Sequence, residues 1–217
     1  MDLSPIGRAA LRAREGERLT AYKDSVGVWT IGVGVTTASG LIAVTPGLTI
    51  TQAQSDALFA RAVEKYVDPV RQALAKPVPQ EFFDACCSLA YNIGPVGFAH
   101  SSVARLANAG DLQAAIEAFL MWNKPAVVIP RRQGERDQAA TPYAKALPRA
   151  RRGDYAPVKV PAGPPPAAPP KAADPLAPMP PKPALTGGLS SAPSPAPAPG
   201  LFARLLSTLR TNMAKGA

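Results

Sequence analysis

The sequence predicts an α+β domain in which one helix leads into a small antiparallel sheet and then a helical lobe, with two further segments appended. Three observations carry this. Prolines are sparse up to Tyr155, after which sixteen of the 26 fall between Pro157 and Pro199. Residues 19–34 set apolar side chains against closely spaced glycines, the pattern of short strands and tight turns. Beyond Thr51 the apolar residues recur at helical spacing. Proline lacks the amide donor and clashes with the preceding turn, so the proline-rich stretch holds neither helix nor central strand. Residues 1–155 are therefore read as one globular domain, 156–199 as a disordered linker of polyproline character, and 200–217 as a separate short helix.

Ser4 before Pro5 marks a helix start, since the hydroxyl caps free amides and proline fits the first turn. That helix runs to Arg14 and ends at Gly16, with Glu15 in or just beyond its last turn. The sheet follows directly. Thr51 with Gln54 has capping-box spacing, and Leu58, Phe59, Ala62, Val63 and Tyr66 form an apolar face that Pro69 is expected to stop. The segment from Gln80 to Asn92 is apolar almost all round, as a helix at the centre of a bundle must be. Further helices are predicted over 101–108, 111–122 and 133–145, and a cleft is expected between the sheet and the helical lobe.

Net charge is +9, about +4 from residues 1–155 and +5 from the rest, where Asp174 alone opposes six cations. The surplus favours an anionic partner. Dispersed cations without a helix-turn-helix, zinc-finger or aromatic RNA-binding signature argue against nucleic acid, and a bacterial envelope fits the same sign. The N-terminal residues contain no uninterrupted apolar run, and no window approaches the roughly eighteen apolar residues of a membrane span, so accumulation in the cytoplasm is expected. Cys86 and Cys87, adjacent on a helix, read as small buried core residues that do not bridge. The single histidine, His100, reads as a loop residue, which argues against a histidine-rich metal site or a nucleophilic triad. No metal and no cofactor are expected.

The chemistry-bearing string runs from Glu15 to Gly34. It places a carboxylate at a helix end, Asp24 on the following hairpin and the Thr30 hydroxyl one strand later. Glycosidic cleavage needs a carboxylic acid that keeps its proton in an apolar setting and a carboxylate that activates water or attacks the sugar. Taken alone, a Glu and an Asp at this spacing are more often a solvated helix end and a turn former. The string resembles the phage-type lysozymes, endolysins of glycoside hydrolase family 24, in Glu15-Gly16, Tyr22-Lys23-Asp24 and Thr30-Ile31-Gly32-Val33-Gly34. The resemblance continues in Leu89–Gly94, Leu106–Asp111, Phe119–Lys124 and Arg131–Arg136, covering about residues 5–147. It departs at Val35, where many members carry His, and in the short segment 124–130.

The resemblance implies a lysozyme-like fold and hydrolysis, with inversion, of the β-1,4 bond between N-acetylmuramic acid and N-acetylglucosamine in peptidoglycan. Glu15 would be the general acid, and Asp24 with Thr30 would hold the attacking water. Retention of that pair favours hydrolysis over the water-free reaction of lytic transglycosylases. Trp29, Gly34, Trp122 and Arg132 are candidate substrate contacts, although a large aromatic at such spacing is more often core, and for Arg131 and Arg132 ion pairs with Glu135 or helix ends are favoured over contact with wall carboxylates. The alternative is a non-catalytic wall-binding or membrane-active protein on the same fold. A monomer is expected, released to the wall by a separate holin.

In the last segment Leu201, Phe202, Leu205, Leu206, Leu209 and Met213 project within an arc of about 140°, with Arg204, Arg210 and Lys215 outside it. Such a cationic amphipathic helix suits an anionic membrane interface, or docking on a protein partner.

Overall fold

The computed structural model describes residues 1–24 and 27–161. Most of the segment read as linker, and the whole of the segment read as a C-terminal helix (Leu201, Phe202, Arg204, Leu205, Leu206, Leu209 and Arg210 among its residues), lie outside them. In chain order come α1 (Pro5–Glu15), the strands β1 (Arg18–Lys23), β2 (Trp29–Gly32) and β3 (Val35–Thr36), and then α2 (Gln52–Ala73). The helical lobe continues with α3 (Gln80–Ile93), α4 (Pro95–Ala99), α5 (Ser102–Ala109), α6 (Leu112–Glu117) and α7 (Ile129–Ala140). The strands form one antiparallel sheet in the order β1-β2-β3. The irregular chain after β3 returns to it, Ala21 donating to the Leu48 carbonyl and Ile50 to that of Leu19, both at 2.8 Å.

Two cores flank a shared helix. In α2, Leu58 and Ala62 pack with Ile31, Val35, Val44 and Ile50 beneath the sheet, while Phe59, Val63, Val67 and Val70 face the helical lobe. These sets fall on neighbouring stripes of one helix, so α2 joins the lobes by packing on both sides. At the centre of the lobe stands α3, with Phe82, Phe83, Ala85, Cys86, Cys87, Leu89 and Ala90 all buried, as an all-round apolar helix requires. Both cysteines are free, and burial pushes their thiols well above the usual range.

Prolines account for two differences from expectation. Helix α2 does not stop at Pro69 but carries on to Ala73, because Val70 is a buried member of its core face and continued burial outweighs one missing amide bond. Helix α7 spans 129–140 instead of 133–145: Pro130 sits in the first turn, where its missing amide is harmless, and Pro142 disfavours helical backbone just before it. The helix expected over 111–122 tightens to a 3-10 turn at Ala118–Met121, which brings Phe119 edge-on to Phe82 with ring centroids 6.0 Å apart. Past Tyr155 the described chain still packs: Val158 donates to the Pro148 carbonyl at 2.8 Å and is buried with Ala9, Ala10 and Ala150.

Candidate active site

Helix α1 is pinned at both ends, which fixes where Glu15 emerges. At its start the Ser4 hydroxyl accepts from the Gly7 amide at 3.0 Å and donates to Asp84 of α3. Gly7 lies so close to Asp84 that any side chain there would collide with the carboxylate. Asp84 also accepts from the Ser4 amide at 3.0 Å and from Gln80 and Tyr143 at 2.8 Å. At the far end Gly16, with φ of 78°, donates to the Arg12 carbonyl at 2.9 Å and stops the helix just beyond Glu15.

The Glu15 side chain is 8 % exposed and accepts a hydrogen bond from Nη2 of Arg131, itself 6 % exposed. Nε of the same guanidinium reaches Glu135 at 3.1 Å, and Nη2 also points at the Ser88 carbonyl at 3.4 Å. Glu17, two residues on, is differently engaged: it accepts from Ser55 at 2.6 Å and from Gln52 at 3.1 and 3.2 Å, tying the chain after α1 to α2. Of the two neighbouring glutamates, Glu15 therefore meets the buried guanidinium and Glu17 fastens the backbone.

The hairpin brings the other two candidates together. Tyr22 pairs with Thr30 and Lys23 with Trp29 across β1 and β2. Asp24 closes the end of this pairing: its amide donates to the Val28 carbonyl at 2.9 Å, and its Oδ1 accepts from the Val28 amide at 2.9 Å. The buried Thr30 hydroxyl donates to the same Val28 carbonyl at 3.1 Å. Asp24 and Thr30 thus share one backbone anchor. Tyr22 links them to Glu15, for its phenol is raised above its ordinary value by burial, against Arg18, with added contributions from Asp24 and Glu15.

Two more tyrosines stand within electrostatic reach of Glu15. Tyr66 and Tyr91 are raised first by burial and next by the Glu15 charge. Their rings meet at 4.5 Å, and the Tyr91 hydroxyl donates to the Val33 carbonyl at 3.0 Å, beside Gly34. The sequence reading did not assign this wall. Its signal was present in Tyr66 on the α2 face and in the Ala90-Tyr91-Asn92 run, but no local spacing links positions 22, 66 and 91.

The candidate substrate contacts fare unequally. Gly34, with φ of 73°, is exposed in the turn after β2, where a side chain would approach the Tyr91 hydroxyl at 3.6 Å. Trp29 packs with Ile31 on the sheet's own core, and strand alternation turns it away from Thr30. Lys23 covers its ring at 5.5 Å. Trp122 packs partly buried against the helical core. Arg132 is corrected from a sugar contact to an interior residue: it is 1 % exposed and bonded to Glu135 and Asn92. A cavity of 670 Å³ lies elsewhere, between α1, α2 and the chain at 150–161, and none of Glu15, Asp24 and Thr30 lines it.

Comparison with known proteins shows the family. The sequence model of the family described as phage lysozyme matches residues 12–135. The endolysin of Salmonella phage P22 is 41% identical over 140 residues, covering 63% of this chain and 96% of its own length. A crystal structure of a P22 lysozyme mutant superposes with a TM-score of 0.61 at 39% identity, over 65% of this chain and 99% of that one. The muramidase domain of SpmX from Asticaccaulis excentricus superposes with a TM-score of 0.58 at 30% identity, over 64% and 98%.

Proposed function

The chain belongs to the phage lysozyme family and is a peptidoglycan-cleaving endolysin, and from that premise we propose that it is an inverting muramidase worked by Glu15, Asp24 and Thr30. The observation that supports this reading is the meeting of the α1 terminus with the hairpin: Tyr22 feels both carboxylates, and Asp24 and Thr30 are anchored on the Val28 carbonyl. The bond cleaved is the β-1,4 link from N-acetylmuramic acid to N-acetylglucosamine. Glu15 gives its proton to the leaving oxygen while water attacks the anomeric carbon from the opposite face. Thr30 has already committed its hydroxyl proton to Val28, so its oxygen is left to accept from that water, and Asp24 takes the water's other proton as it adds. In the resting state Arg131 holds Glu15, and the bound glycan displaces water from the cleft.

The decisive experiment is turbidity clearance of purified peptidoglycan with mass analysis of the products. Reducing sugars are expected, and anhydro products would mean a transglycosylase. Release to the cell wall would depend on a separate holin. The protein would act as a monomer. The cationic, leucine-rich segment 200–217 would add contact with anionic lipid.

A further inference from the structure

A general acid must carry a proton, yet the Glu15 carboxyl lies against the buried Arg131 guanidinium. Behind Arg131 stand two more buried cations, Arg132 and Arg14. Burial lowers Arg14 to about 10, with Glu135 opposing the fall. Three guanidinium groups thus gather around Glu135, two of them, Arg131 and Arg132, also within electrostatic reach of Glu15, and little water screens them.

Glu135, fully buried on α7, meets the same guanidinium as Glu15 but at a different nitrogen. Its Oε1 accepts from Nε of Arg131 at 3.1 Å and from the Ser88 hydroxyl at 2.6 Å, and its Oε2 accepts from Arg132. Burial opposes its ionisation, but Arg132, Arg131 and Arg14 outweigh burial and hold it below the usual carboxylate range. The groups facing Glu135 are Arg14 from α1, Cys86 and Ser88 from α3, and Arg131 and Arg132 from its own helix. Those facing Glu15 are Arg131, Arg132, Tyr22, Tyr66 and Tyr91.

We propose that Glu135 is a positioning residue for the reaction: by binding the Nε edge of Arg131 it aims Nη2 at Glu15 and takes up part of the guanidinium charge, so that Glu15 can hold its proton when substrate arrives. A guanidinium is planar and rigid, so a bond that fixes Nε also fixes the direction of Nη2. Sharing the cation between two carboxylates weakens its pull on each. The inference rests on the reading of Glu15 as the acid.

The test uses the full chain on purified peptidoglycan, with kcat and KM followed against pH and folding scored by circular dichroism. Glu135→Gln removes the charge and keeps the shape. It is expected to move the basic limb of the rate profile to lower pH by about one unit and to lower kcat more than KM. Glu135→Asp, which restores the charge, returns the limb to its original position. Should Glu135→Gln not fold, Arg132→Met gives the same test with opposite sign, because it leaves Glu135 to Arg131 and moves the limb to higher pH. A folded Glu135→Gln protein with an unmoved limb would overturn the proposal, as would an unmoved limb in Arg132→Met where that variant is the one measured. Glu15→Gln separates the two readings: if it keeps turnover, the assignment of the acid fails, whereas if it is inactive and the limb is unmoved, only the role of Glu135 fails.

Discussion

The two glutamates at the end of α1 offer a matched pair of perturbations. Glu15→Gln keeps an acceptor oxygen for Arg131, which also retains Glu135, so the fold should lose no more than about 1–2 kcal/mol. At about 2–4 °C per kcal/mol for a domain of this size, its Tm should fall by less than about 8 °C. Catalysis should suffer far more. An amide has no acid proton to give, and general acid catalysis is worth about 10²–10⁴-fold, or roughly 3–5.5 kcal/mol of barrier. Glu17→Gln should do the reverse: it weakens the bonds from Ser55 and Gln52, at about 1 kcal/mol of stability, and leaves kcat within about twofold. Initial rates of peptidoglycan clearance, normalised to folded protein, and thermal melts of both variants make the comparison. If Glu15→Gln kept more than about a tenth of wild-type kcat, or Glu17→Gln lost as much as Glu15→Gln, the division of roles between the two carboxylates would be wrong.

Asp24→Asn and Thr30→Ala should each cut kcat by about 10²-fold or more while leaving sedimentation with insoluble peptidoglycan unchanged, because they act on water and not on bound glycan. Weaker sedimentation with unchanged kcat would make them binding residues instead. Asp84 is raised by burial despite its four donors, so the stability it gives when protonated, present below its ordinary value near 3.8, is lost as pH rises through the raised value. The Tm of wild type minus that of Asp84→Asn should therefore fall as pH rises from about 4, and a flat difference would contradict the assigned direction. Deleting residues 200–217 should spare clearance of purified peptidoglycan but lower binding to vesicles containing phosphatidylglycerol. Equal vesicle binding would point to protein docking.

Much of the framework was legible because its signals are local. The Ser4-Pro5 start, the Gly16 stop, the Thr51 capping box and the all-apolar α3 each rest on residues within one or two turns, and each element formed where those signals lie. The hairpin carrying Asp24 and Thr30 is local in the same sense, since one carbonyl at Val28 anchors both. The proline rule misjudged α2 because it speaks of one residue's backbone, and Val70 in the core changes its consequence, whereas the observed bounds of α7 follow from Pro130 and Pro142.

What local reading misses is the surroundings of Glu15. Arg131 lies 116 residues away in sequence, and Tyr66 and Tyr91 come from separate helices. The pair Arg131-Arg132 shows why spacing cannot divide the roles: adjacent helical residues diverge by about 100°, so one guanidinium reaches Glu15 while its neighbour reaches Asn92. Both share Glu135, at three and four residues' distance, which a sequence reads as ordinary helix-face ion pairing. Burial makes the difference. With α3 packed against α7 and Arg14 of α1 reaching the Gly134 carbonyl, the same pairing loses its water, and a spacing that would be worth about a few tenths of a kcal/mol on an exposed helix becomes a buried network that reaches Glu15 on another element.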